Sequence, residues 1–83
     1  MGETTAYEED VSREEAADLL QELARELRNG QVMETRVGNK RLTLRPSSVL
    51  EYRIEVRERS PMLGGDREEI TVTLDWEVET DES

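Results

Sequence analysis

The residues best equipped for chemistry in this sequence are arginines. Arg36, Arg41, Arg45, Arg53 and Arg57 crowd the middle of the chain, and Lys40 among them is the only lysine. A guanidinium fork takes carboxylate or phosphate oxygens two at a time, so a row of them is equipped to hold an acidic protein, an acidic tail or a nucleic-acid backbone. Charge is segregated around them. Residues 36–59 sum to +4, whereas residues 1–35 and 60–83 each sum to −7. Interleaved Glu34, Glu51 and Glu55, with Glu69 and Asp75 further on, offer a plainer use for the same side chains, cross-strand ion pairs on a solvated face.

Other chemistries lack their residues. The chain has no histidine and no cysteine, which removes imidazole acid/base catalysis, thiolate nucleophiles, and histidine or cysteine metal sites. Paired carboxylates are the remaining acid/base route. The aspartates and glutamates fall in the terminal segments or on the polar side of each alternation, on solvated faces rather than paired in a pocket. Gly64-Gly65 precedes a strand rather than a helix, so it is not a phosphate-cradling loop, and the carboxylate spacing of a calcium loop is missing. The expectation is a protein with no catalytic residues, cofactor, metal or small-molecule substrate.

The elements that position the arginines follow from periodicity. Ser12 and Glu15 form a capping box, flanked by Val11 and Ala16 as a hydrophobic staple. Ala16, Leu19, Leu20, Leu23, Ala24 and Leu27 then recur at spacings of three and four, opposite Glu14, Asp18, Glu22 and Arg25. Arg25 and Arg28 suit the negative end of the helix dipole, and Asn29-Gly30 supplies its stop.

After Gly30 the period changes to two. Gly38-Asn39 predicts a two-residue hairpin turn with glycine first, pairing Val37 with Lys40, Thr35 with Leu42 and Met33 with Leu44. Met33, Thr35, Leu42 and Leu44 then share one face, and Glu34, Arg36, Arg41, Thr43 and Arg45 the other. Pro46 ends that strand. Leu50, Tyr52, Ile54 and Val56 alternate with charged residues, and after a loop containing Pro61 and Gly64-Gly65 so do Ile70, Val72, Leu74, Trp76 and Val78.

These elements predict an α+β domain over residues 11–78, in which one N-terminal helix packs on one face of a four-stranded antiparallel meander. Acidic, disordered tails are expected at 1–10 and 79–83. The expected core is Leu20, Leu23, Leu27, Tyr52, Ile54, Val72, Leu74 and Trp76, with Trp76 plugging the interior against the helix. The five arginines would share the helix-free face.

Composition adds a solvent. The chain has 83 residues and 21 acidic against 11 basic side chains, for a net charge of −10. Such a surface suits concentrated salt, where screening shortens to about 3 Å near molar strength and self-repulsion is relieved. The composition points to a halophile. An ordinary acidic protein with few lysines is the alternative, and a salt titration separates them. The opening residues lack the basic and apolar regions of a signal peptide, and no apolar run is long enough to span a bilayer, so cytoplasm is the expected location.

The run from Val11-Ser12-Arg13-Glu14-Glu15-Ala16-Ala17, through Asn29-Gly30 and Gly38-Asn39, to Leu74-Asp75-Trp76 resembles the amphi-Trp domain over about residues 11–77. That family is small, common in halophilic archaea and of unknown function. The resemblance implies the same helix-then-strands architecture and brings no catalytic residues with it.

The functional expectation is a non-enzymatic binding or assembly module that self-associates, because a small core and an open sheet gain stability by pairing. The alternative is a weak nucleic-acid binder using the arginine face, though a charge of −10 opposes a polyanion.

Overall fold

A computed structural model describes residues 2–78. One helix, α1 (Arg13–Arg28), is followed by four strands, β1 (Met33–Val37), β2 (Lys40–Leu44), β3 (Glu51–Arg59) and β4 (Arg67–Asp75). The α+β order is the expected one. The C-terminal tail expected at 79–83 lies outside the described residues, and residues 2–10 carry no regular secondary structure.

The helix begins where its capping residues require. Ser12 is extended (φ −72°, ψ 164°), and its Oγ accepts the Glu15 N–H at 3.0 Å while its carbonyl accepts the Ala16 N–H at 2.9 Å. One first-turn donor that would otherwise lack an intrahelical partner is satisfied this way. At the other end the Asn29 N–H donates to the Glu26 carbonyl at 3.3 Å, and Gly30 takes the positive φ (141°) that turns the chain out. Arg25 and Arg28 lie in the last turn.

The first hairpin has the expected register throughout, from Met33↔Leu44 to Val37↔Lys40. Its turn has φ +63° at Gly38, and among the described residues none other than glycine has a positive φ, so the glycine-first type is formed. The Tyr7 ring lies against this turn, and a Cβ on Gly38 would meet Tyr7 Cδ1 at 2.6 Å. The Tyr7 hydroxyl donates to the Glu9 carboxylate. That hydrogen bond first, and the charge of Glu9 second, raise the phenol pKa above its ordinary value.

The second hairpin pairs β3 with β4 from Glu51↔Asp75 to Arg59↔Arg67. At nine residues per strand it reaches about 30 Å, against about 17 Å for the five-residue strands of the first.

The four strands do not join in one sheet, and this corrects the single meander. They form two separate two-stranded sheets, β1-β2 and β3-β4. Pro46 has no N–H to continue a ladder, and Ser47 Oγ donates to the Val49 carbonyl at 2.7 Å in a local turn. The link between β2 and β3 is therefore committed to its own hydrogen bonding, and the long hairpin projects. The molecule measures 58 × 23 × 23 Å, with a radius of gyration of 16.0 Å where a chain of this length packed as a sphere-like domain would have about 12 Å.

The helix packs on β1. Glu26 Oε1 accepts the Glu34 N–H at 3.2 Å, tying α1 to the edge of that strand. Met33 is 2% exposed, the one buried hydrophobic residue among those described. Around it Ala16, Leu27, Thr35, Val37, Leu42 and Leu44 are half-buried, so the face assignment on the first hairpin holds.

The second hairpin has no such cover. Leu20, Leu23, Tyr52, Ile54 and Val72, expected in the core, are exposed, and Leu27, Leu74 and Trp76 are half-buried. The reason is geometric. The strands split into two sheets and α1 packs on β1, so the helix covers one hairpin only. Here it covers the first.

Candidate docking surface

Register and parity build the open surface. Three cross-strand pairs, Tyr52↔Leu74, Ile54↔Val72 and Val56↔Ile70, stack along one face of the β3-β4 hairpin. Branched and aromatic side chains suit a pleated surface, and directly opposed pairs stabilise the ribbon by about 0.2–1 kcal/mol each. In this chain the ladder faces outward: Tyr52 is 63% exposed and Ile54 53%. Glu58↔Glu68 follows next on the same face, placing two like charges where the apolar strip ends near the loop. At the strip's other end a shallow cleft is lined by Val49, Leu50, Asp75 and Trp76. Trp76 thus sits at the base of the second hairpin, with Leu50 beside it.

The sequence-derived arginines are divided between two surfaces. Arg36 and Arg41 face each other across the first hairpin, and Arg45 lies just beyond β2. Arg53 and Arg57 lie on the polar face of the second hairpin, opposite Thr73 and Glu69. Because the sheet is split, no single sheet face collects all five. Two make ion pairs, Arg41 Nη1 to Glu34 Oε1 at 4.0 Å and Arg53 Nη2 to Glu55 Oε1 at 3.7 Å. Both pairs are exposed and worth well under about 1 kcal/mol each.

The structure adds residues that the sequence-derived site omitted. Val56 and Ile70 complete the ladder, and Arg59 faces Arg67 near the loop. Alternation alone marks Val56 and Ile70. That they form a surface rather than a core follows from counting strands against helices.

Among the described residues no three Asp or Glu side chains converge as a cation site. No helix among the described residues is long and apolar enough to cross a membrane.

Comparison with known proteins agrees with this architecture. No curated protein and no solved structure matches the chain. The amphi-Trp domain matches residues 1–83, the whole sequence. With its capped amphipathic helix, its two hairpins and Trp76 immediately after the last strand, the chain belongs to the amphi-Trp domain family.

Proposed function

We propose that this protein is a non-enzymatic binding and assembly module that self-associates, working in the salt-rich cytoplasm of a halophile. The observation that carries the reading is the area left in water. The chain exposes 8337 Å², whereas a compact monomer of 9.6 kDa exposes about 5,100 Å². Residues 2–10 contribute to the excess, and so do the ladder and the exposed leucines of α1. The exposed residues 2–10 and the elongated shape take a large share of that excess, and the part that bears on association is the apolar area of the ladder and of Leu19 and Leu20.

Exposed apolar patches of this kind mark places where another surface packs. Charge argues for the solvent. Two copies at −10 each repel in dilute buffer, and concentrated salt removes that repulsion while strengthening apolar contact. A polyanion such as nucleic acid would meet the same net charge without an apolar surface to offer the ladder.

Sedimentation equilibrium of the full chain in molar potassium chloride, at micromolar concentration and above, tests the proposal. A dimer or higher oligomer is the expected result. A monomer throughout that range would overturn it.

A further inference from the structure

Two apolar strips lie open in one chain. The first is the ladder of the second hairpin. The other is on α1, where Leu19 and Leu20 are 53% and 64% exposed and Leu23 is exposed beside them. We infer that each strip covers the other between two copies: the leucines of α1 in one chain pack on the β3-β4 ladder of the second, and the reverse contact forms at the same time. This inference rests on the self-association proposed above and names its contacts.

The dimensions agree. From Leu19 to Leu23 the exposed helical strip rises about 6 Å, which lies within the about 14 Å that the strand rises from Tyr52 to Val56. One helix width matches two strands, as it does where α1 covers the first hairpin. Closure within the chain is opposed by the existing attachment of α1, whose Glu26 carboxylate holds the Glu34 N–H at 3.2 Å while Met33 is buried beneath. The helix packs on β1 and not on β3 or β4.

A ladder-on-ladder dimer would bury the hairpins and leave Leu19, Leu20 and Leu23 in water. Helix-on-ladder packing uses both strips, and because the contact is made twice about a twofold axis it closes without leaving a free end to polymerise. Glu58 and Glu68 border the covered strip, and the polar helix face with Glu14, Asp18 and Glu22 stays outward.

The test uses the unmodified full chain in molar salt, mixed from isotope-labelled and unlabelled material. Isotope-filtered nuclear Overhauser spectra should connect methyls of Leu19, Leu20 and Leu23 in one chain with those of Ile54, Val56, Ile70 and Val72 in the other. Leu20→Ala, which keeps a strong helix former at an exposed position, should weaken the dimer about tenfold or more. Four outcomes overturn the inference. Intermolecular peaks joining hairpin to hairpin, or a dimer without helix-to-hairpin peaks, would leave self-association standing but refute this pairing. Helix-to-hairpin peaks within one chain would refute it as well. A monomeric mass with no intermolecular peaks would overturn the pairing and the self-association together.

Discussion

Truncating Ile54 to alanine gives a sharp measure of whether the ladder is a wet surface or half of an interface. The substitution removes three carbons, worth about 2.4 kcal/mol if wholly withdrawn from water at ~0.8 kcal/mol each. In the isolated chain Ile54 is 53% exposed, so roughly half of that transfer is already made within the hairpin, and the rest waits on a covering surface. A partner that covers it adds about 1.2 kcal/mol per copy, and a symmetric dimer contains the contact twice. The sum, about 2.4 kcal/mol, raises the dimer Kd roughly fiftyfold, before any residual cavity is counted. Loss of β propensity falls equally on the folded monomer and the dimer and cancels in Kd. Thr71→Ala is the control, because Thr71 pairs with Glu55 on the opposite face of the same hairpin, and its Kd should move less than about threefold. Sedimentation equilibrium of both variants in molar salt reads the difference. An Ile54→Ala Kd within the control's range would refute the claim that the ladder is covered.

Three further outcomes follow from local geometry and charge. Ser12→Ala deletes the acceptor held 3.0 Å from the Glu15 N–H; it should cost about 1 kcal/mol in chemical denaturation, and Ser12→Asp should restore most of that. Gly38→Ala places a Cβ 2.6 Å from the Tyr7 ring at a φ of +63°. It should lose about 1–2 kcal/mol from the backbone alone, and pairing it with Tyr7→Ala should recover the steric part, visible as a coupling in a double-mutant cycle. Association should strengthen as salt rises, since each copy carries −10. A Kd that rises with salt would show that attraction between charges, such as arginine to carboxylate, dominates instead.

Local rules carried far in this chain because they involve few residues each. Ser12 three positions before Glu15 defines a cap wherever the helix finally docks, and glycine first in Gly38-Asn39 selects one turn type and with it the register of β1 and β2. Parity likewise sorted every residue of both hairpins to the correct side. Alternation says which residues share a face and nothing about what lies against that face. The core expected from Leu20, Leu23, Tyr52, Ile54 and Val72 required one helix to cover four strands, and the five arginines required one sheet to collect them.

The split into two sheets and the packing of α1 on β1 limit the helix to a single hairpin. Nine-residue strands paired with a sixteen-residue helix already committed to five-residue strands leave an apolar strip with no cover inside the chain. Trp76 follows the same logic. Its parity extends Ile70, Val72 and Leu74, and the tryptophan is half-buried at the base of the open hairpin with Leu50. In this chain Trp76 stands at the rim of the apolar strip. The area left to withdraw from water lies further along the strip, on Tyr52 at 63% exposure and Ile70 at 69%. A second surface that closes over the ladder gains most there and least at the tryptophan, which its own chain already covers more fully.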